Sequence, residues 1–329
     1  MDAFISRREE KEVKSDYLYL PAMDPDGNPI AITVNWNRAE DTIECLESLV
    51  QSGVKTSRII VVDNGSQDAS VGRIGKAMPS VEIMEMGENL GYIKGVNRGI
   101  SRAMEMGAEN ILLINNDATV EESAVRALME GMRRHRSAGI LAPKILYYDD
   151  DSIWFAGGTF DRRWGYSTHP GMDLPDDGSI EDRRVDFVSG CIMLVRREVF
   201  DEIGLFDETL WMYAEDLDFC LKAESKGWES WYVPSSVGHH KVSASSGVKG
   251  SNVMTPMRSY YYARNMLVVI HRLPWRAGRF TRFLGQIAIR LPYYLMQILL
   301  QGVKGGVSAY LKGLVDGIKW ILGGNPDGR

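Results

Sequence analysis

The chain has 329 residues, of which 44% are hydrophobic and 25% are charged, an ordinary composition for a globular protein. This length suits one large domain with an appendage, or two domains, and the composition argues against a disordered chain. Three cysteines, Cys45, Cys191 and Cys220, lie far apart without a CxxC spacing, which argues against a zinc or disulfide framework and favours a reducing compartment. Residues 1–19 lack the apolar core of a signal peptide, so we expect a cytoplasmic protein.

The net charge of −6 is unevenly distributed along the chain. From Arg258 to the C-terminus there are 11 basic and 2 acidic residues, a net charge of +9, whereas residues 1–257 have 27 basic and 42 acidic residues, a net charge of −15. Because the basic part is also apolar, it favours an anionic membrane surface as a partner and argues against nucleic acid.

Strands and helices alternate in the first part of the sequence. After an N-terminal arm, the apolar patterns predict strands over residues 29–34, 58–62, 81–84 and 111–114, and helices over residues 40–51, 94–106 and 121–136. Such a repeat of strand and helix implies a mainly parallel sheet with right-handed crossovers and flanking helices.

The order becomes less regular in the middle of the chain. Residues 140–186 mix short strands with Gly and Asp turns, and a single buried strand is predicted over Val185–Val195, with a short helix over residues 196–204. Glu215 then opens a helix that continues to Lys226. Its first turn contains three carboxylates, which either cap the helix through its dipole or take part in chemistry.

The polar cluster at the end of the strand over residues 111–114 is a candidate ligand site. Ligands of open α/β sheets bind beyond the carboxyl ends of the strands, which is where Asn115, Asn116 and Asp117 follow. An Asn-x-Asp pair offers hard oxygen ligands for a divalent cation that is itself bridged to phosphates. The same residue types also favour an ordinary turn, so the position alone leaves both interpretations open.

These segments together resemble the family 2 inverting glycosyltransferases with the GT-A fold, particularly the rhamnosyltransferase-like branch. The resemblance runs from about residue 30 to residue 271 and depends on the order of several motifs: Val34-Asn-Trp-Asn37, Val62-Asp-Asn-Gly-Ser66, Asn89-Leu-Gly-Tyr92, Asn115-Asn-Asp117, Gly190-Cys191 before Arg196-Arg197, Phe206-Asp-Glu208, Glu215-Asp216-x-Asp218, His239-His240 and Arg264-Asn265. It implies a Rossmann-like sheet, a UDP- or dTDP-sugar donor, and a glycan or lipid-linked acceptor.

The resemblance also implies roles for individual residues on the donor side. Asp63 is expected to hydrogen-bond the base, and the residues expected to contact the nucleotide are Val34, Trp36, Asp63, Asn89, Gly91, Asn115 and Asn116. Asp117 and His240 are expected to hold Mg²⁺ or Mn²⁺ against the diphosphate. Because Asn115 replaces the first acidic residue of the family's DxD element, we expect weaker metal binding.

On the acceptor side, the resemblance makes Asp216 the general base, with Glu215 as its partner in the catalytic pair. Asp218, Arg264 and Asn265 are second-choice residues for orienting the acceptor or the diphosphate. The Ser/Gly-rich run over residues 243–251 is either a loop that closes over the donor sugar or a plain linker.

Two other functions fit an α/β nucleotide-binding chain. A sugar-nucleotide pyrophosphorylase would carry a GxGTR-like loop near its N-terminus, whereas the first strand here ends in Asn35-Trp-Asn37. A non-catalytic glycan-binding protein would not need both Asp117 and Asp216. A dinucleotide dehydrogenase would carry a GxGxxG spacing and a P-loop ATPase a GxxxxGK[ST] spacing. Both are disfavoured because the loop over residues 87–92 has neither.

The expected organisation is an arm over residues 1–29, a GT-A catalytic domain over 30–257 and a basic, apolar, helical region over 258–329. In that last region the longest weakly charged span, Leu291–Val303, is shorter than the roughly 20 residues that cross a bilayer. Arg290 and Pro292 are expected to interrupt any longer helix. We therefore expect an amphipathic extension that lies on the inner face of the cell membrane; the alternative is packing on the catalytic domain or on a second copy of the chain.

Overall fold

A computed structural model describes residues 28–242, 253–273, 275 and 277–323. Most of the predicted N-terminal arm and all of the Ser/Gly-rich run over residues 243–251 lie outside the described residues.

Strands and helices alternate through the first half of the described chain and then become irregular. The strands are β1 (Ile30–Asn35), β2 (Ile59–Asp63), β3 (Glu82–Glu85), β4 (Asn110–Ile114), β5 (Ala118–Val120), β6 (Ala138–Tyr147), β7 (Ile153–Phe155), β8 (Thr159–Asp161), β9 (Tyr166–Thr168), β10 (Arg183–Val185), β11 (Ile192–Arg196) and β12 (Glu229–His240). The α-helices are α1 (Ala39–Gln51), α2 (Ser70–Ala77), α3 (Tyr92–Glu105), α4 (Ala124–Arg134), α5 (Arg197–Ile203), α6 (Glu215–Glu224), α7 (Pro256–Arg272), α8 (Arg279–Gly285), α9 (Leu291–Leu300) and α10 (Gly306–Ile321).

The first half of the sheet has the predicted parallel arrangement. β1 lies between β2 and β4 and is parallel to both, and β3 is parallel to β2 on the outer edge. Helix α3 lies close to this part of the sheet because glycine faces it: a Cβ on Gly95 would lie 3.2 Å from Val34 Cγ1. The apolar runs of β2 and β4 are buried along their whole length, as expected for strands covered on both faces.

The second half of the sheet is mixed. β11 is antiparallel to β4 and to β6, whereas β6 is parallel to β12. The strand order along the sheet is β10-β12-β6-β11-β4-β1-β2-β3, with β5 paired to β12 and β7 paired to β6. The predicted parallel pattern therefore applies to the four neighbouring strands β3, β2, β1 and β4. The strands that follow β4 in the chain run in mixed directions.

The single strand predicted over Val185–Val195 is wrong. β10 ends at Val185 and pairs with β12, whereas β11 begins at Ile192 and pairs with β4. Between them the chain leaves the sheet, and Gly190 donates its backbone N–H to the Asp216 carboxylate at 3.2 Å. The apolar pattern runs across this break because Phe187 and Val188 are buried although they belong to no strand.

The C-terminal helices are attached closely to the catalytic part. Helix α7 spans the predicted boundary after residue 257, and its residues Val268 and Val269 belong to the main hydrophobic core. Helix α10 packs along α7, where a Cβ on Gly313 would collide with the carbonyl oxygen of Tyr260. A Cβ on Gly317 would lie 3.1 Å from the carbonyl oxygen of Arg264, so two small residues one turn apart allow the helices to touch.

The interruption expected at Arg290 and Pro292 does not occur. α8 and α9 are joined by a π-helical turn over Gln286–Arg290, so the helix is continuous from Arg279 to Leu300 and is long and apolar enough to cross a membrane by length and composition. Proline lacks the N–H for the helical hydrogen bond and its ring crowds the preceding turn, and a widened turn accommodates both effects. Arg290 is buried and donates to Gln286 Oε1 at 3.0 Å.

Candidate active site

The loops after β1 and β2 are joined by side-chain hydrogen bonds at the carboxyl edge of the sheet. Asn35 Nδ2 donates to Asp63 Oδ1 at 2.7 Å, and the Ser66 hydroxyl donates to the same oxygen at 2.5 Å. The Ser66 N–H donates to Asp63 Oδ2 at 2.9 Å. Val34 is partly buried below Gly95, and Trp36 is 47% exposed at the same edge.

The Asp63 carboxylate connects the two loops. Asp63 is buried, and its carboxylate accepts hydrogen bonds from Asn35 and Ser66 of the two adjoining loops. These bonds fix the shape of the loops, and the expected contact between Asp63 and the base stays a prediction. Trp36, in contrast, remains accessible for contact with a ligand.

The loop before α3 is fixed by asparagines and by a close aromatic contact. Asn89 Oδ1 accepts hydrogen bonds from the Gly91 N–H at 2.9 Å and from Asn64 Nδ2 at 3.0 Å. Gly91 has a positive φ of 87°, and a Cβ there would lie 2.7 Å from Trp211 Nε1. Only glycine meets both requirements, because L side chains rarely adopt that φ.

Asp117 and His240 meet because β12 pairs with β5. His240 lies opposite Ala118 in this antiparallel pair, so the side chain that precedes β5 reaches the end of β12. His240 Nε2 lies 3.2 Å from Asp117 Oδ1, and both residues are buried. The next residue, Lys241, fixes this strand end through an ion pair of 2.8 Å with Asp41 of α1.

The pair of Asp117 and His240 fits a divalent cation that also binds the substrate. Burial alone would raise the pKa of Asp117, but the hydrogen bond to His240 and the neighbouring positive charges outweigh it, so the pKa is lowered and the carboxyl is ionised. Among the described residues there is no group of three or more His, Cys, Asp or Glu side chains able to hold a metal. Two protein ligands are compatible with a cation whose other ligands are phosphate oxygens and water.

The two asparagines before Asp117 contact neighbouring elements. Asn115 Oδ1 accepts a hydrogen bond from the Tyr92 hydroxyl at 3.0 Å, and Asn116 Nδ2 donates to the Thr42 hydroxyl at 3.1 Å. Tyr92 is the last residue of the Asn89-Leu-Gly-Tyr92 motif but is not among the predicted site residues. Trp154 was also missed: its ring meets the His240 ring edge-on at a centroid distance of 4.4 Å, and no local sequence signal connects the two.

Glu215 and Asp216 open α6 as a pair of adjacent carboxylates. Asp216 Oδ1 accepts the Leu217 N–H at 2.7 Å and Oδ2 accepts the Gly190 N–H at 3.2 Å, so both of its oxygens are oriented by backbone groups. Burial raises the pKa of both residues, and the adjacent charge of Asp216 adds to this effect, so that the pKa of Glu215 reaches about 8. Both keep some access to solvent, and Glu215 Oε2 has no hydrogen-bond partner among the described residues.

The segment before this pair has an unusual backbone. Trp211, Tyr213 and Ala214 have φ values of 58°, 66° and 66°, in the left-handed region. Non-glycine residues adopt this conformation at a cost of about 1–2 kcal/mol each. Such outliers persist only where the surrounding structure holds them, and they are common at functional sites.

The three second-choice residues have structural contacts. Asp218 is buried and its carboxylate lies 2.6 Å from Lys222 Nζ on the next turn of α6. Arg264 donates to the Thr209 carbonyl at 2.8 Å, and Asn265 Nδ2 donates to the carbonyls of Leu210, Met212 and Tyr213. These buried groups bind other parts of the protein, and their expected contact with acceptor or diphosphate stays a prediction.

Comparison of the sequence with protein-family models identifies the family of this chain. Residues 30–204 match the model described as glycosyl transferase family 2, which covers more than half of the chain. The chain belongs to glycosyl transferase family 2. The predicted glycosyltransferase activity is confirmed by this match.

Individual relatives narrow the branch. N-acetylglucosaminyl-diphospho-decaprenol L-rhamnosyltransferase of Mycobacterium tuberculosis is 28% identical over 269 residues, which cover 74% of this glycosyltransferase and 85% of the relative. The dTDP-rhamnosyl transferase RfbF of Shigella flexneri is 22% identical over 259 residues, covering 75% and 81%. The predicted rhamnosyltransferase-like branch is thereby confirmed.

The fold has a counterpart among solved structures. The mannosyltransferase PcManGT from Pyrobaculum calidifontis, in complex with GDP-Man and Mn²⁺, superposes with a TM-score of 0.53. The two sequences are 13% identical, and the match covers 88% of this glycosyltransferase and 87% of the mannosyltransferase. The GT-A fold expected from the sequence is confirmed by this similarity.

Replacing Glu215 with glutamine should change how the stability of the glycosyltransferase depends on pH. The pKa of Glu215 is raised from 4.5 to about 8 in the folded protein, so between these values the unfolded chain is ionised at this position and the folded chain is not. Unfolding therefore releases a proton in this range, and the contribution of Glu215 to stability falls as pH rises. We expect the urea midpoint of the wild type to fall relative to that of Glu215→Gln between about pH 5 and about pH 8.

The control for this experiment is Glu130→Gln, which changes an exposed carboxylate on α4. Its midpoint should follow that of the wild type at every pH. Parallel curves for Glu215→Gln and the wild type would contradict the raised pKa.

Proposed function

We propose that this glycosyltransferase inverts the configuration of the transferred sugar in a single displacement, with Asp216 as the general base. One carboxylate that takes the proton of the acceptor hydroxyl is sufficient for such a reaction, and no covalent nucleophile is required. The observation that carries the proposal is the fixation of both Asp216 oxygens by the N–H groups of Gly190 and Leu217, at the edge of the sheet where the donor loops end. This fixation aims the carboxylate before any substrate binds.

We also propose that the donor diphosphate is held through Mg²⁺ or Mn²⁺ by Asp117 and His240. When bound there, the cation would neutralise the negative charge that develops on the departing nucleotide diphosphate. The ionised Asp117 carboxylate supplies the charge, and His240 is held against it by β12 and by the ring of Trp154.

For the substrates, we propose a dTDP- or UDP-linked deoxyhexose as donor and a saccharide on a polyprenyl diphosphate as acceptor. Two relatives support this proposal. The mycobacterial one is a rhamnosyltransferase named for N-acetylglucosaminyl-diphospho-decaprenol, and the one from Shigella flexneri is a dTDP-rhamnosyl transferase. Thermal stabilisation across a panel of dTDP-, UDP- and GDP-sugars with Mn²⁺ tests the donor class; a preference for GDP-sugars would contradict it.

The Asp216→Asn enzyme should lose nearly all transfer activity. Asparagine keeps the volume of the side chain but cannot accept the proton, and loss of a general base typically costs 10²- to 10⁴-fold. Nucleotide affinity should stay close to that of the wild type in a calorimetric titration. Asp201→Asn, on the exposed side of α5, serves as the control and should turn over normally. If Asp216→Asn turned over like the wild type, the general base would have to be another carboxylate.

Asp117→Ala should weaken Mn²⁺-dependent nucleotide binding more than Asn115→Ala does. Only Asp117 brings a negative charge to the cation, whereas Asn115 Oδ1 is engaged by the Tyr92 hydroxyl. Titration of dTDP into each variant, with Mn²⁺ and with a chelator, measures the difference. If both variants lose the same affinity, or if the chelator has no effect on the wild type, the metal assignment is wrong.

We further propose that α8, α9 and α10 bind the inner face of the cell membrane in its plane. One side of the α8–α9 helix is fixed to the catalytic part, since Gln286 Nε2 donates to the Gly165 carbonyl at 2.6 Å. On the outer side, Phe280, Leu299 and Leu300 are 76%, 69% and 76% exposed. The lysines of this region are also exposed, and each contributes about 1 kcal/mol near an anionic leaflet.

Point substitutions test the membrane proposal without removing helices. The double variant Leu299→Ser/Leu300→Ser should bind vesicles of phosphatidylglycerol and phosphatidylcholine at least about 100-fold more weakly than the wild type, because each inserted leucine contributes roughly 1.5–3 kcal/mol and about 1.4 kcal/mol is a factor of ten. Leu174→Ser/Ile180→Ser removes two exposed apolar side chains from the catalytic part and should bind as the wild type does. Binding should also weaken as salt is added. The wild type could instead fail to bind vesicles at low salt and self-associate through the outer face of these helices. That result would make the face a contact between two copies of the chain.

A further inference from the structure

The left-handed backbone of residues 211–214 needs an external support. This segment connects the 3₁₀ turn Glu208–Leu210 to the first residue of α6, and it contains Trp211, Tyr213 and Ala214 with positive φ. No glycine relieves the strain, and the segment ends directly before Glu215 and Asp216. The direction in which α6 begins, and with it the direction of both carboxylates, therefore depends on what holds this backbone.

The side chain of Asn265 on α7 supplies such a support. Its Nδ2 lies 2.7 Å from the Leu210 carbonyl oxygen, 2.7 Å from that of Met212 and 2.8 Å from that of Tyr213. One amide nitrogen, which has two N–H hydrogens to share, thus lies against three carbonyl oxygens of residues 210–213, two of them within the strained segment. Asn265 is completely buried, so water does not compete for these contacts.

Arg264 fixes the orientation of that amide. Arg264 donates from Nη1 to Asn265 Oδ1 at 2.9 Å and to the Thr209 carbonyl at 2.8 Å. Because the amide oxygen must face the guanidinium, the amide nitrogen must face the three carbonyls. Two adjacent residues of α7 therefore hold four carbonyl groups of the segment over residues 209–213.

Helix α7 is itself held by α10. The Tyr260 hydroxyl donates to Asp316 Oδ2 at 3.0 Å, and Gly317 lies against the Arg264 backbone. On the other side of the segment, the Trp211 ring stacks on Tyr261 of α7 at a centroid distance of 5.1 Å. The support for the segment before α6 therefore reaches into the C-terminal helices.

We propose that Asn265 is a positioning residue for the catalytic base, acting through the left-handed segment over residues 211–214. Its amide holds the carbonyls of Met212 and Tyr213 in that segment and of Leu210 just before it, and the segment sets the position of Asp216 relative to the Gly190 and Leu217 N–H groups. This inference rests on the proposed role of Asp216 as the base. It gives the Arg264-Asn265 motif a function on the acceptor side that requires no contact with the donor diphosphate.

Asn97 provides a matched control. It is also buried, and it also links a helix to the same region, since its Nδ2 donates to the Phe206 carbonyl at 2.9 Å and its Oδ1 accepts the Phe206 N–H at 3.1 Å. Within the described part of the chain its side chain bonds Phe206 and Glu208, which precede the left-handed segment. Asn97→Ala and Asn265→Ala should therefore both reduce stability, and only the second should disturb Asp216.

Hydrogen exchange measured by mass spectrometry tests the proposal without any substrate. In Asn265→Ala, peptides covering residues 209–217 should exchange at least tenfold faster than in the wild type, whereas in Asn97→Ala the faster exchange should be confined to the region around Phe206. If alanine at position 265 prevents folding, Asn265→Asp keeps the shape and the contact with Arg264 but cannot donate to the three carbonyls when ionised. Wild-type exchange over residues 209–217 in a folded position-265 variant would overturn the proposal.

Kinetics with dTDP-rhamnose and a short N-acetylglucosaminyl-diphospho-prenol give the second readout. Asn265→Ala should lower kcat by 10- to 100-fold with an unchanged KM for the donor, and Asn97→Ala should stay within threefold of the wild-type kcat. The acidic limb of the pH profile of kcat should move in Asn265→Ala and stay in place in Asn97→Ala, because displacement of Asp216 changes its burial and its bonds to the Gly190 and Leu217 N–H groups, which together set its pKa. A raised donor KM with normal kcat would instead support a diphosphate contact and would overturn the positioning role.

The experiments distinguish a wrong assignment of Asp216 as the base from a wrong assignment of Asn265 as the positioning residue. If Asp216→Asn is inactive while Asn265→Ala behaves like Asn97→Ala, the base assignment stands and the positioning role is wrong. If Asp216→Asn turns over like the wild type, the base assignment is wrong regardless of how the position-265 variants exchange or react.

Discussion

The site depends on a constraint of parallel sheets: strands that run in the same direction end at the same edge. β1, β2 and β4 are parallel neighbours, so the polar residues that follow each strand meet although they lie up to 80 residues apart in sequence. Asn35, Asp63 and Ser66 then connect the first two loops by hydrogen bonds, and Tyr92 connects the third loop to Asn115. The buried apolar strands behind this edge keep it in one shape.

Glu215 and Asp216, proposed as the catalytic pair, come from the part of the fold where the parallel order ends. β11 reverses direction beside β4, and the break before it leaves the Gly190 N–H free to bind Asp216. The last residues of β12 pair with β6 on one side and with β5 on the other, which sets His240 beside Asp117. The proposed metal ligands and the proposed base are thus positioned by two different departures from regular alternation, both on the β4 side of the parallel strands.

The C-terminal helices pack closely on the part of the fold that carries the proposed base. Their outer face carries exposed apolar and basic side chains, while the inner face supports α7, whose residues Arg264 and Asn265 hold the segment before α6. The glycines of α10 allow its backbone to touch that of α7. Under the proposed membrane binding, a change on the outer face has a short physical route to the proposed base.

The sequence alone determined the βα repeat and the family, because buried apolar runs and the polar motifs that follow them are local signals. It could not show how the side chains of those motifs are held: Asp63, Asp218, Arg264 and Asn265 are part of recognisable motifs, and each is buried against other protein groups. It also missed the break before β11, Trp154, and the continuity of the helix through Pro292. These features depend on pairing and packing between segments far apart in sequence, where a side chain's role is set by the groups that surround it, and only the tertiary structure decides which groups those are.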